Sequence, residues 1–421
     1  MGLGLVFWLI AARLFEQGEV GVAAGVVAAM MLCTQLGLLG LGSAVIALYP
    51  AHRRHPAPLL DSAMTLAALS ALLASAGFLL LAGGVFSQLD VAASTPAYAG
   101  LFVAASVLGT LGIVFDQTAT ALRRGDQALA RNVVFGVAAV AALAAAATLL
   151  PGTGSAQIFM PWALAGVAAF AVGAWQLRRA LGRYRLRPRL DRRMVRELRG
   201  VALRNHLLTV AERSPGLVLP ILVTELLSPA ANASWYGAWM MAWVIFIVPI
   251  QVGLTLFSEL AHEPDSCARA VRGGIRTSLA IGTAGALVVA AAADLLLSLL
   301  GPSYAEAGAT PLRILVLGVV PLTFVQAYFA ACRARNRLPE AIVAGWVTGA
   351  AAVAAACAAG VATGLVGMAV AWLAVQSCAG AVCAWRLQRL LRELRAPRGH
   401  APAALGRAAP VAGAAVEAGS P

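Results

Sequence analysis

Long apolar runs separated by short polar punctuation account for nearly the whole of this chain. They fall at roughly 2–15, 20–48, 59–86, 97–122, 127–150 and 158–177, and again at 201–227, 235–259, 275–300, 307–332, 340–361 and 365–388. Each run is too long and too continuous for a strand. In lipid no water satisfies backbone polar groups, and a helix satisfies its own. The pattern predicts an all-α, polytopic integral membrane protein with about twelve transmembrane helices. The first run is short, so either a neighbouring helix caps it or the true start lies upstream.

The punctuation has a rhythm of its own. Arginines follow runs two, four, six, eight, ten and twelve: Arg53 and Arg54; Arg123 and Arg124; a long basic segment; Arg269, Arg272 and Arg276; Arg333, Arg335 and Arg337; and Arg386 to Arg395. The intervening loops EQGE, SQLDVAASTPA, PGTGSAQ, LSPAANAS, GPSYAEAG and GVATG contain none. Basic loops stay on the cytoplasmic side, so an even number of spans with both termini cytoplasmic is expected, in the inner (cytoplasmic) membrane of the cell. No basic stretch precedes the first run, and no cleavable leader is expected. Composition agrees with a membrane solvent: 61% of residues are hydrophobic and 12% charged, and the net charge of +13 comes from arginine without a single lysine.

The basic segment from Arg178 to Arg204 holds eleven arginines against Asp191 and Glu197. Flanked by lipid-embedded runs, it reads as a hinge along the anionic inner leaflet and not as a nucleic-acid patch. It divides the chain into an N-terminal six-helix lobe over 1–177, a cytoplasmic hinge over 178–200 and a C-terminal six-helix lobe over 201–394. A tail over 395–421, rich in Pro, Ala and Gly, is expected to be disordered. The halves echo each other. ALRRGDQALARNVVFGVAAVAAL from Ala121 parallels ACRARNRLPEAIVAGWVTGAAAV from Ala331, and the exit YPAHRR parallels ELAHEP. Two lobes related by a pseudo-twofold along the membrane normal, with a site between them, follow from such a repeat.

Candidate chemistry is sparse. There is no Walker loop, H-E-x-x-H or nucleophile elbow, the five histidines form no cluster, and the six cysteines lack metal-ligand spacing. No cofactor or metal is implied, and external loops of about a dozen residues or fewer leave no room for a catalytic domain. Charges inside the spans are the informative residues, because burying one is costly. Glu212 and Arg213 lie well inside the seventh run, ahead of Pro215 and Pro220, which are expected to kink or open the helix. Adjacent residues diverge around a helix, so the two cannot neutralise each other directly. Glu212 either gates or carries a proton, or it meets an arginine on another helix. Asp116 in the fourth run either snorkels to the interface or forms a buried coupling site. Asp294 and Arg313 are placed to pair across their loop. Arg13 ends the first run on the outer side. Trp235, Trp239 and Trp243 recur at i, i+4, i+8 as a packing or interface stripe.

These residues resemble a known family. FWLIAARLFEQGEVGVAAGVVAAMMLCTQLGLLGLGSAVIALYP is similar to the opening of the lipid-linked oligosaccharide flippases of O-antigen and polysaccharide biosynthesis. SWYGAWMMAWVIFIVPIQVGLTLFSEL resembles their eighth helix. LLGPSYAEAGATPLRILVLGVVPLTFVQAYFAACRARNRLPEAI resembles their ninth-to-tenth crossing. The likeness runs to about Leu394 as a diffuse pattern. It implies membership of the multidrug/oligosaccharidyl-lipid/polysaccharide exporter superfamily and transport by alternating access of a polyprenyl-pyrophosphate-linked glycan. Carried over by position, Arg13 and Arg213 are the substrate-binding candidates, and Glu212 and Asp116 the coupling or gating candidates. Phe15 departs from the family's Leu, the first helix is short, and cavity charges are few. Expected partners are the lipid-linked glycan, membrane lipids and glycosyltransferases or a polymerase of the same pathway. Two rivals remain: a cation-coupled drug exporter of the same superfamily, and a transport-inactive scaffold for a glycan-assembly complex.

Overall fold

The computed structural model describes residues 2–149, 154–182, 184–262, 267–335 and 337–393, and all regular structure among them is helical. In chain order the helices are α1 (Gly2–Leu14), α2 (Gln17–Gly37), α3 (Leu41–His52), α4 (Ala57–Val85), the short 3₁₀ turn η1 (Leu89–Ala93), α5 (Pro96–Ala121), α6 (Gly125–Leu149) and α7 (Ser155–Ala180). The second half comprises α8 (Arg192–Leu226), α9 (Pro229–His262), α10 (Cys267–Ala291), α11 (Ala293–Ser298), α12 (Pro302–Val316), α13 (Val319–Ala334) and α14 (Leu338–Glu393). The expected tail over 395–421 lies outside the described residues.

Among the described residues, nine helical stretches are long and apolar enough to cross a bilayer, and α12–α13, bent by 44°, makes a tenth. α14 is two crossings. Gly364 breaks it, and Glu340 near its start and Arg386 near its end both bond Tyr328, so the chain doubles back. α1, at 13 residues, is about 20 Å long, short of a ~30 Å hydrocarbon core. The apolar runs are thus all helical, although two of them break internally. α2 and α3 are separated at Leu39 (φ 46°) and Gly40 (φ 73°), where the chain passes so close to α8 that a Cβ on Gly40 would fall 2.4 Å from the Ala202 carbonyl oxygen. The two parallel basic turns close alike, with Arg124 N–H donating to Ala119 O at 2.8 Å and Arg337 N–H to Cys332 O at 2.9 Å.

The basic segment differs from a free hinge. Its second part is helical: α8 starts at Arg192, capped by Asp191, whose carboxylate accepts from Arg193 N–H and Met194 N–H. The part before it is an extended strap tied to α4. Asp61 accepts from the Tyr184 hydroxyl and from Arg187 N–H, Thr65 Oγ1 from Arg189 N–H, and Ser62 Oγ from Asp191 N–H. Burial, with Asp61 alongside, pushes the Tyr184 phenol upward and keeps it neutral. α8 also continues as one helix through Pro215 and Pro220, so of the expected kink or opening the helix does not open. Packing holds it there, with Pro215 lying against Gly349 of α14.

Three apolar cores explain the shape. The largest joins both halves near the arginine-free loops, running from Phe7, Trp8 and Val20–Met30 to Trp235, Phe246, Leu297 and Trp372. The tryptophan stripe belongs to it as packing: Trp235 is fully buried and stacks on Trp239, and Trp239 meets Trp372 edge-on. Towards the arginine-bearing loops that core gives way to two separate ones. One consists of α3, α4, α5 and α7 with Met194, Leu198 and Ala202 of α8; the other is drawn from the second half alone, including Leu208, Tyr328 and Leu387. The halves therefore share a core at one end, and at the other they hold separate cores joined through the start of α8.

Candidate functional site: the cleft between the two basic-end cores

At the arginine-free end, polar side chains stitch the halves together. Arg13 donates to the carbonyls of Leu299 (2.8 Å) and Ser298 (3.0 Å). Gln17 donates to Ala230 O and Ser234 Oγ, and Asn232 donates to Gly21 O. Gly21 is pressed so tightly on α9 that a Cβ would fall 1.7 Å from Pro229 O. Trp8 meets Tyr236 edge-on at 4.9 Å. The Glu225 carboxylate gathers the N–H groups of Ser87, Gln88 and Leu89 at 2.8, 3.1 and 2.7 Å.

α8 crosses from this closed end to the open one, and its faces divide the work. At about 100° per residue, His206, Arg213, Pro220 and Thr224 fall within roughly 40° of one another. Thr224 packs on Gly25 of α2, while His206 and Ala202 pack on Gly40. That face is turned to the first half. The opposite face carries Ala211 and Pro215, which meet Gly345 and Gly349 of α14. Arg213 lies between these two contacts, is exposed, and has no hydrogen bond or ion pair among the described residues. The α2 face toward it is apolar, with Leu36 41% exposed inside an otherwise buried helix.

α9 shows the same parting along one line of side chains. Ala233, Met240, Val244, Gln251 and Thr255 share a face by helical period. Ala233 is 2% exposed where the helix lies on α2, Val244 is 53% exposed, and Gln251, Thr255 and then Glu259 are exposed. The face that binds the first half at the closed end thus becomes a polar wall of the cleft at the other.

The other candidate charges inside the spans each have partners. Glu212 accepts from Arg333 at 2.9 Å and from Gln326 at 3.3 Å, joining α8 to α13, with both members of the ion pair 16–17% exposed. This is the inter-helix arginine that the sequence left open, although Arg333 had served there only to orient the chain. Asp116 neither snorkels nor stands free. Arg131 of α6, 8% exposed, grips both its oxygens at 2.7 and 2.6 Å, and Asn132 adds a third bond at 3.1 Å. This clamp joins α5 to α6 within the first half, away from the cleft. Arg131 escaped the sequence reading because it lies 15 residues away across a turn. Asp294 and Arg313 pair as expected. Arg13 sits in the closed end, its N–H groups occupied by carbonyls, and not in the cleft. Cys33, Cys332 and Cys383 are buried, whereas Cys378 is exposed.

Neither family models nor curated proteins give a match to this sequence. Solved structures do. An inward-facing multidrug resistance MATE family transporter of the MOP superfamily is similar at a TM-score of 0.74 with 14% identity, over 94% of this chain and 96% of the other. An outward-facing structure of that kind reaches 0.66 with 14% identity, over 94% and 93%. The lipid II flippase MurJ in an inward closed conformation reaches 0.68 with 10% identity, over 91% and 85%. These neighbours are transporters and a flippase. The chain is a multi-pass membrane protein with the fold shared by the MATE transporters of the MOP superfamily and MurJ.

Proposed function

We propose that this chain is a flippase that carries a polyprenyl-pyrophosphate-linked oligosaccharide across the cytoplasmic membrane by alternating access, for polysaccharide biosynthesis. Arg213 carries this reading. An unpaired guanidinium at mid-span is tolerated when it faces water or an anion, and pyrophosphate matches its fork of donors. The cleft around it offers an apolar wall at Leu36 for the lipid and a polar wall at Gln251 and Thr255 for the saccharide. Glu212 acts in gating, since its bonds to Arg333 and Gln326 set how α8 rides on α13. Arg13 serves as a latch at the outer end, and Asp116 as a clamp within the first half. The basic end faces the cytoplasm, where glycosyltransferases or a polymerase of the same pathway would meet it.

The drug-exporter reading is the weaker one. Cation coupling needs a carboxylate free to bind the cation, and in the first half Asp116 is held at both oxygens while Asp61 accepts two bonds at one. The decisive experiment expresses Arg213→Ala in a host lacking its own flippase, and scores surface polysaccharide against protein abundance. Normal abundance with export at background supports the proposal. Full export would remove Arg213 from the site, and drug resistance without polysaccharide would favour the exporter. Export independent of every cleft residue would favour a scaffold. Reporter fusions after Ala57, Arg124 and Ala180 should read cytoplasmic, and those after Ala93, Ala231 and Ser303 external.

A further inference from the structure

A second cavity lies at the basic end, outside the cleft, between the end of α7 and the strap that precedes α8. Its volume is about 380 Å³, roughly a dozen water volumes, room for a phosphate and glycerol with the start of an acyl chain. Its floor is apolar, formed by Phe115, Leu177 and Leu186, and Trp175, Arg178 and Arg185 edge it. α7 spans the membrane and ends at Ala180, so Trp175 and Arg178 stand at the membrane–water boundary. Trp175 is 54% exposed, and the Arg179 guanidinium lies over its ring at 4.9 Å. Arg178 and Arg185 are exposed, and neither has a hydrogen-bond or ion-pair partner among the described residues. They belong to different elements, and the strap that carries Arg185 is fixed to α4 through Asp61, Ser62 and Thr65.

Two unpaired cations held beside an apolar floor at headgroup depth match one kind of ligand. We propose that this cavity binds a single anionic phospholipid, its phosphate between Arg178 and Arg185, one acyl chain over Phe115, Leu177 and Leu186, and Trp175 beside the headgroup. A free phosphate would use the cations and leave the floor empty, whereas a zwitterionic lipid would bring its own cation to them. The strap leads directly into α8, the helix that carries Arg213, so the bound lipid braces the link between the first half and the cleft. The assignment is independent of the transported substrate.

The test uses the full chain in detergent, with native mass spectrometry and thermal unfolding during titration with phosphatidylglycerol, phosphatidylcholine or inorganic phosphate. Wild type should retain one phosphatidylglycerol and be stabilised by it, and should respond to neither of the others. The Arg178→Gln/Arg185→Gln variant should bind it at least about tenfold more weakly. Both side chains are exposed, so its lipid-free melting temperature should match wild type. The Arg269→Gln/Arg272→Gln variant, which removes the same charge at the basic end of α10, should bind like wild type. Equal loss in both variants would mean diffuse attraction and overturn the site. So would phosphatidylcholine binding as well as phosphatidylglycerol, or inorganic phosphate giving the same stabilisation.

Discussion

The two ends of the molecule treat polar groups in opposite ways. At the arginine-free end polar side chains bridge the halves: Arg13 on two carbonyls, Gln17 and Asn232 across the α2–α9 seam, Glu225 on three successive N–H groups. Toward the basic end, Arg213, Gln251, Thr255 and Glu259 face the gap exposed. The apolar core follows the same division, single where polar side chains cross between the halves and double where the cleft opens. Paired groups hold a closed seam, and unpaired groups are available to a ligand. In an alternating-access cycle the first set must break while the second finds partners, so each set has its own mutational signature.

Substitution at Arg213 should have the largest effect on function and the smallest on stability. Arg213→Ala removes an unpaired cation, so melting temperature and abundance should stay at wild-type values while export falls to background. Arg213→Lys keeps a point charge but loses the fork, and should retain partial export, about a tenth of wild type. Export and thermal stability measured on the same preparations decide the point. An unfolded Arg213→Ala would show that the cation holds the structure together.

Asp116→Ala should do the reverse. It leaves Arg131, 8% exposed, with a buried charge and no carboxylate, a loss of about 3 kcal/mol for a broken buried pair. Thermal unfolding should report that loss, and the export that remains should scale with the folded protein. Export abolished at normal stability would return Asp116 to the coupling role that the sequence had offered it.

This contrast shows what was legible in the sequence. Apolar runs and alternating arginine loops are local signals, and they marked out the helices down to the short α1. Arg213 was also legible, because a cation in the middle of an apolar run stands out whatever it faces. Pairing was not. Asp116 and Glu212 looked alike as lone acids, yet Arg131 reaches one across a turn and Arg333 reaches the other across 121 residues. Arg333 was read as a topology marker because it ends a helix, and nothing local shows that α8 passes alongside. The attachment of the strap was not legible for a similar reason. Its arginines dominate the composition, but the contacts that fix it are backbone N–H groups on Asp61, Ser62 and Thr65.

An intermediate effect is expected at the seam. Glu225→Gln cannot accept at both terminal atoms, so the three N–H groups of Ser87, Gln88 and Leu89 lose part of a charge-assisted set. Those bonds exist only while the arginine-free end is closed. The closed form should therefore lose about tenfold in population relative to the open one, a bias of roughly 1.4 kcal/mol. A cysteine placed at Ser234, fully buried in the seam, reports it in a background without the native cysteines. Its labelling by an impermeant maleimide should rise about tenfold, and unchanged labelling would mean that Glu225 does not hold the seam.

The smallest effect concerns where α8 meets the first half at the basic end. Glu197 bonds Arg193 one turn away and His52 of α3 at 2.9 Å, and these partners, Arg193 foremost, hold its carboxyl below the ordinary value of 4.5. A carboxylate that is more acidic folded than unfolded contributes stability above the unfolded value and loses it as pH falls through the folded one. The difference in melting temperature between wild type and Glu197→Gln should thus be constant from neutral pH down to about 4.5, and vanish below. It should be small and shrink in high salt, because Glu197 and Arg193 stand in solvent. Arg213→Ala should show no such acid dependence, since no carboxylate pairs with that guanidinium. A pH-independent difference at Glu197 would mean that the His52 contact fastens α8 by packing and not by charge.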